Sequence, residues 1–366
     1  MKTFGFTILL SAVSALSASA DVVWLEKEYD FGLMKEIAGP QTGSVRLVNT
    51  GPEEVVITGA RPSCGCTGVA YNQDPIAPGD TATFSFTYNP LGRPGRFEKS
   101  IRVYIGDFDT YKITIKGNVL GTPESLSSLY PVEVGPMRLS ETILGTGDVN
   151  YGSTRHFFVN AYNQTTDTIR PHWVCDNPAL SVTATSEDLG PGDLMTLSLY
   201  FNSRDLKELG PVTIPVTVYA DQKADSPSAT LEFYSNVTPD FSKMSPEEIN
   251  NGPRCEVEPV EIDASKFSFA AKPIPFKFTI RNEGKSPLQI LRIYSKSDAV
   301  RVTRRPSVIK PEKSGQVDAS VNLRQLIQAT QGDVIPEAAR VEIEVMTNDP
   351  LHPVRTLAVP IHSIKN

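Results

Sequence analysis

The sequence is poor in the residues on which most catalytic and metal chemistries draw. Its 366 residues include only four His, four Cys, six Met and two Trp. His156, His172, His352 and His362 fall in different segments with no metal-ligand spacing. A zinc-protease signature, a nucleophile elbow and a phosphate loop are all missing. No triad or carboxylate pair assembles, which speaks against a hydrolase. Basic charge is short as well: Lys and Arg total 35 against 42 Asp and Glu, a net charge of −7. That excludes a general nucleic-acid binder and makes an anionic membrane surface a poor partner. Beyond the N-terminus no apolar run is long enough to span a bilayer, and no long amphipathic helix pattern occurs.

Turn residues, by contrast, are plentiful. The 29 Pro outnumber the 25 Gly, which favours turns and edge strands over long helices. With 40% hydrophobic and 21% charged residues the chain is ordered and globular, and its length suits two or three domains. The N-terminus carries an address. Lys2 supplies a positive start, residues 4–16 are mostly apolar, and Ala18-Ser19-Ala20 is a small-x-small cleavage site. This predicts a secretory signal peptide over residues 1–20, too short for a membrane anchor and without a lipidation Cys. The mature chain is expected in a compartment that permits disulfides. The periplasm is preferred to the extracellular space, since no anchor or C-terminal sorting domain stands out.

Internal repetition is the main signal. Tyr29-Asp30-Phe31-Gly32-Leu33-Met34 resembles Val132-Glu133-Val134-Gly135-Pro136-Met137. Alternating strands that end in Asn follow, closing on Asn49, Asn163 and Asn282. A turn then leads into another strand: Pro78-Gly79, Pro191-Gly192 and Pro311-Glu312, about 113 and 120 residues apart. Each repeat finishes in a pair of period-two strands, such as Ile101, Val103, Ile105 followed by Tyr111, Ile113, Ile115. The spacing is that of one small sandwich domain, so the chain reads as all-β, with three tandem sandwiches. Domains are expected at 21–120, 128–238 and 255–366, joined by the linkers at 120–128 and 238–254. Ser245-Pro246-Glu247-Glu248 predicts one capped helical turn, and residues 322–331 another short helix.

Phe31-Gly32, Asn49-Thr50-Gly51, Ser63-Cys64-Gly65-Cys66-Thr67, Pro78-Gly79 and Arg93-Pro94-Gly95 together resemble a bacterial family. It is the domain-of-unknown-function family fifteen-seventy-three, an Ig-like sandwich related to PapD-like chaperones and major-sperm-protein modules. The likeness covers residues 24–118; the later repeats share strand pattern and turns but lack the Cys-Gly-Cys. The resemblance implies an exported envelope protein with Ig-like domains and assigns no activity or catalytic residue.

Cys64 and Cys66 are the residues with chemistry to offer. They can form a local disulfide across Gly65, serve thiol exchange, or bind Cu(I) through two thiolates. They can equally be structural. Cys175 sits in the comparable loop of the second repeat and Cys255 opens the third; a Cys175–Cys255 bond is the expected second disulfide, with two unrelated buried thiols as the alternative. Other features read as ordinary. Gly145-Thr146-Gly147 is a flexible turn, Asp107 and Asp109 flank a hairpin turn with too few carboxylates for calcium, and Trp24 and Trp173 are core or junction residues. Asn163-Gln164-Thr165, Asn236-Val237-Thr238, Asp80-Thr81-Ala82 and Asp167-Thr168-Ile169 match glycosylation triplets too short to weigh. The expected function is an exported, non-enzymatic binding or scaffold protein of the cell envelope, without a cofactor, whose partner is a protein or envelope component. The alternative is a thiol-redox or copper-handling protein using Cys64 and Cys66.

Overall fold

A computed structural model of the chain describes residues 22–106, 109–267, 272–331 and 337–364. The expected signal peptide and Asp107 lie outside them. The first unit contains β1 (Val22–Trp24), β2 (Glu28–Lys35), β3 (Gln41–Asn49), β4 (Ile57–Pro62), β5 (Thr67–Tyr71), β6 (Thr81–Tyr88), β7 (Gly95–Ile105) and β8 (Asp109–Leu120). Sheets β1-β3-β6-β5 and β2-β8-β7-β4 face each other. After helix α1 (Pro123–Leu129) come β9 (Val132–Val134), β10 (Met137–Leu139), β11 (Ile143–Asn150), β12 (Thr154–Asn163), β13 (His172–Val174), β14 (Leu180–Ala184), β15 (Leu194–Asn202), β16 (Gly210–Tyr219) and β17 (Ala229–Thr238). These form sheets β14-β15-β12-β10-β9 and β11-β17-β16-β13. Helix α2 (Pro246–Asn250) precedes β18 (Cys255–Val257), β19 (Ile262–Asp263), β20 (Ile274–Asn282), β21 (Leu288–Tyr294), β22 (Val300–Arg304), β23 (Val308–Ile309), β24 (Ser314–Val321), helix α3 (Leu323–Gln331), β25 (Ala339–Thr347) and β26 (Val354–His362). Their sheets are β18-β20-β24-β22 and β19-β26-β25-β21-β23. The chain is thus all-β, in Ig-like sandwiches, and among the described residues no helix is long and apolar enough to cross a membrane.

Period-two patterning explains the layers. Val45 and Leu47 of β3, Phe84 and Phe86 of β6, Ile101 and Val103 of β7, and Ile113 and Ile115 of β8 all turn inward and are buried. Leu197, Leu199 and Phe201 against Ile214, Val216 and Val218 repeat this in the second unit, as do Val341, Ile343 and Val345 against Leu357, Val359 and Ile361 in the third. Each such side chain contributes roughly 1.5–3 kcal/mol of burial. The three cores are separate.

The repeated Asn has a physical cause. Asn49, Asn163 and Asn282 are all 0% exposed. Each Nδ2 donates to the carbonyl four residues on (Glu53, Asp167, Ser286) and to a carbonyl before the next turn (Ile76, Leu189, Ile309), at 2.7–3.0 Å. Each Oδ1 accepts the N–H two residues on, from Gly51, Thr165 or Gly284. The same Asn carbonyls accept from Gly79, Gly192 and Glu312 of the downstream turns. The three donors share a left-handed backbone, with φ of 86°, 69° and 57°. Two are glycine and the third is Glu312, which adopts this conformation at a steric cost.

One expected equivalence is corrected. Tyr29–Met34 corresponds in space to β11, not to residues 132–137. Both β2 and β11 run parallel to the last strand of their unit, β8 and β17, and both bulge midway, between Asp30 and Leu33 and between Gly145 and Asp148. Gly145-Thr146-Gly147 is therefore that bulge and not a free turn; the Thr146 hydroxyl is bonded to Ser235 at 2.8 Å. The 120–128 linker also holds more order than expected, because Thr122 caps α1 and Pro123 starts it. The turn after Ser245 is helical as expected, with Ser245 and Glu248 in a reciprocal capping box.

Candidate functional site: the Cys-Gly-Cys corner and the sheet edges

β4 belongs to one sheet of the first unit and β5 to the other. Cys64-Gly65-Cys66 is the corner where the chain changes sheets. The Ser63 N–H donates to the Ser100 carbonyl and the Ser63 hydroxyl accepts from the Ser100 N–H, holding this stretch to β7. The Thr67 N–H then donates to the Cys64 carbonyl, and the Asn89 N–H to that of Cys66. Cys64 and Cys66 are joined as a disulfide, with Cα atoms 5.2 Å apart. Cys66 is buried in the first core and Cys64 is half-buried. The Thr67 hydroxyl lies 3.5 Å from the Cys64 sulfur and 3.9 Å from that of Cys66.

The corner opens on a cavity of about 330 Å³ whose other walls are Tyr88, Arg93, Pro94, Arg96, Phe97 and Lys99. Its charged groups are all cationic. The Arg93 guanidinium is tied to the Leu91 carbonyl at 2.7 Å, and Arg96 and Lys99 arrive on β7. Sequence inspection missed this trio. Arg93-Pro94-Gly95 reads locally as a turn, and only sheet pairing brings β7 beside residue 64.

Cys175 and Cys255 are both free, so the expected bond between them is absent. Cys255 is buried within the third core and Cys175 packs, half-buried, against the second. Cys255 pairs with Asn282 in register, just as Val22 pairs with Asn49 and Met137 with Asn163. It occupies an apolar position of the repeat. Burial, followed by the nearby Asp349 carboxylate, pushes its thiol up to about 12. Burial also raises the Cys175 thiol. Neither is poised as a nucleophile. At the comparable corners of the later units, side-chain bonds replace the disulfide: Asn177 Oδ1 accepts from the Ala179 N–H, and the Ser295 and Ser297 hydroxyls from the N–H groups of Ser297 and Ala299. In the joined state of Cys64 and Cys66 neither sulfur is a thiolate, so the pair offers Cu(I) no soft anion. Among the described residues no three His, Cys, Asp or Glu side chains gather as a metal site.

The same corner exposes a sheet edge. β4 covers β7 only from Ile101 to Ile105. Along β7 the even-numbered residues point their backbone groups away from β8, as the outward N–H and C=O of Ser100 show. The N–H and C=O of Arg96 and Glu98 therefore face outward, past the end of β4. The second unit differs. β13 covers β16 only from Thr217 to Tyr219, and the outward positions of the remainder are Pro211, Thr213 and Pro215. Two of these have no N–H, and the Pro211 carbonyl already accepts from Arg292 of the third unit at 2.9 Å. A groove of about 660 Å³ runs along this strand, past Val174, Leu206, Glu208 and Thr213. Its backbone edge is blunted against strand addition.

Comparison with known proteins gives fold-level likeness. A protein of unknown function from Porphyromonas gingivalis is 16% identical, with a TM-score of 0.45, covering 62% of this chain and 100% of that one. An ASH/PapD-like domain of human CEP192 is 13% identical, with a TM-score of 0.25, covering 33% and 99%. The YadV chaperone is 11% identical, with a TM-score of 0.22, covering 61% and 99%. No curated protein matches the sequence. The family model described as Protein of unknown function (DUF1573) matches residues 22–119, the unit that carries the Cys-Gly-Cys corner.

Proposed function

We propose that this chain is an exported, non-enzymatic binding or scaffold protein of the cell envelope, periplasmic, cleaved after residue 20. Its domains would be 21–120, 128–238 and 255–366, and its partner a protein or envelope component. One observation carries this reading: the outer edge of β7 at Arg96 and Glu98, where two N–H and two C=O groups stand ready for an added strand. The family match supports it only at the level of fold. A photo-crosslinking residue placed at Arg96, and in a second variant at Thr213, tests it in intact cells. A discrete adduct from position 96, weak or missing from 213, and lost on Glu98→Pro is the expected result. Glu98→Pro removes an outward donor while leaving the bonds to β8. No adduct from either position, or an adduct indifferent to Glu98→Pro, would refute strand addition at this edge.

A further inference from the structure

We infer that the Cys64–Cys66 disulfide is a thiol–disulfide exchange site whose cationic cavity selects an anionic thiol. The inference is independent of strand addition at β7. Three features of the corner converge. Cys64 is the half-buried residue of the pair and Cys66 the buried one. The Thr67 hydroxyl, itself buried, is within reach of both sulfurs. Arg93, Arg96 and Lys99 line the cavity with no acidic side chain among the described residues that form it, and no ion pair among the described residues involves any of the three.

These features define the direction of exchange. An incoming thiolate attacks the Cys64 sulfur, the half-buried one. A new S–S bond forms between the incoming sulfur and Cys64, and the Cys64–Cys66 bond breaks. Its electron pair remains on Cys66 as a thiolate, to which the Thr67 hydroxyl donates and which the three cations stabilise. A second external thiolate attacks the incoming sulfur of the mixed disulfide, forming the external disulfide and breaking the bond to Cys64, which leaves as a thiolate. Two external thiols are then oxidised to one disulfide, and the protein pair is reduced. No other oxidant enters. Three like charges around one opening also act on the approaching reagent, drawing an anionic thiol in and turning a cationic one away. The chemistry fits a small thiol acid or a protein cysteine flanked by carboxylates.

The test uses residues 21–366 and three thiols built on one two-carbon chain: 2-mercaptoethanesulfonate, 2-mercaptoethanol and cysteamine. Rates of Cys64 mixed-disulfide formation are followed by mass and corrected for thiolate fraction and basicity. At low ionic strength the expected order is sulfonate, then alcohol, then amine, over a range on the order of 10–100-fold that collapses in high salt. In Arg96→Gln/Lys99→Gln, with the far-UV spectrum and melting temperature retained, the range should shrink to about 3-fold or less. Lys99→Gln alone, expected to fall between, serves if the double variant is unstable. Equal rates across the series, a range that survives the substitutions, or no adduct at Cys64 would each overturn the inference. Glutathione and an acidic cysteine peptide then sort the source. A faster peptide supports a protein thiol, equal or faster glutathione supports a free one, and failure of both would count against the site.

Discussion

At the scale of single residues, the repeat is organised around polar atoms in apolar surroundings. Asn49 directs both its amide hydrogens and its side-chain oxygen at backbone groups: the carbonyls of Glu53 and Ile76 and the N–H of Gly51. Removing it takes this partner from the Glu53 carbonyl and the Gly51 N–H, while the Ile76 carbonyl keeps the Val55 N–H, and each orphan costs on the order of 1–3 kcal/mol. Asn49→Ala is therefore expected to destabilise the first unit by about 3 kcal/mol, read from urea unfolding. Asn49→Asp should be at least as costly at neutral pH, because a carboxylate would face two carbonyls. It should recover partly in acid, where a protonated acid can donate. A change below about 0.5 kcal/mol for Asn49→Ala would show that water replaces the side chain. The recurring Asn was legible in the sequence as a landmark. Its role was not, because its partners lie up to 27 residues away and converge only when the sandwich closes.

At the scale of elements, short connecting pieces fix how strands leave one layer for another. The 3₁₀ turn at Glu36–Ala38 places Glu36 where its carboxylate accepts from the N–H groups of Gly92 and Thr122 and from the Ser125 hydroxyl, at 2.7, 2.8 and 2.5 Å. Burial pushes this carboxyl up, but the three donated bonds outweigh it and hold the group below its ordinary value. A group depressed in the folded state stabilises above its unfolded value, about 4.3, and loses that contribution as pH falls through the folded value. The stability difference between the natural chain and Glu36→Gln should be largest near neutral pH and shrink below about pH 4. A difference that is constant from pH 7 to 3 would assign the effect to packing. The capped turn at Ser245 was visible from four residues because capping is local. The helix after Thr122 carries the same local signals, a hydroxyl followed by Pro, but the Gly, Pro and Ser around it have the composition of a linker.

At the scale of the whole molecule, adjoining units are joined by polar contacts as well as by chain. Tyr162 of β12 is 0% exposed; its hydroxyl donates to the Val119 carbonyl and accepts from the Gly121 N–H at 2.9 and 2.8 Å, and its ring stacks on Tyr130. Gly192 of the second unit approaches the backbone of Val119 so closely that a Cβ there would sit 3.2 Å from its carbonyl oxygen. At the next junction Arg292 of β21 spans to the carbonyls of Leu209 and Pro211 and stacks over Tyr294. Tyr162→Phe keeps the ring and takes the acceptor from the Gly121 N–H, while the Val119 carbonyl keeps its ladder partner Gly95, a loss of about 1–3 kcal/mol at the seam. Amide exchange at Gly121 should speed up by roughly 10-fold or more, with amides in the centres of both sandwiches unchanged. Uniform acceleration throughout both units would mean that the seam is part of one cooperative core.

Strand composition, the period of the three units and the turn positions were set by the sequence alone, because alternation and turn chemistry act over a few residues. Tertiary structure alone decided everything that depends on which strands become neighbours. It placed Cys64 and Cys66 beside Arg93, Arg96 and Lys99, and it left Cys175 and Cys255 in different cores. It set Pro211 and Pro215 along an edge where their missing N–H groups matter. Spacing along a chain does not encode distance across a sandwich, since closing the two sheets brings together residues from strands that are far apart in sequence.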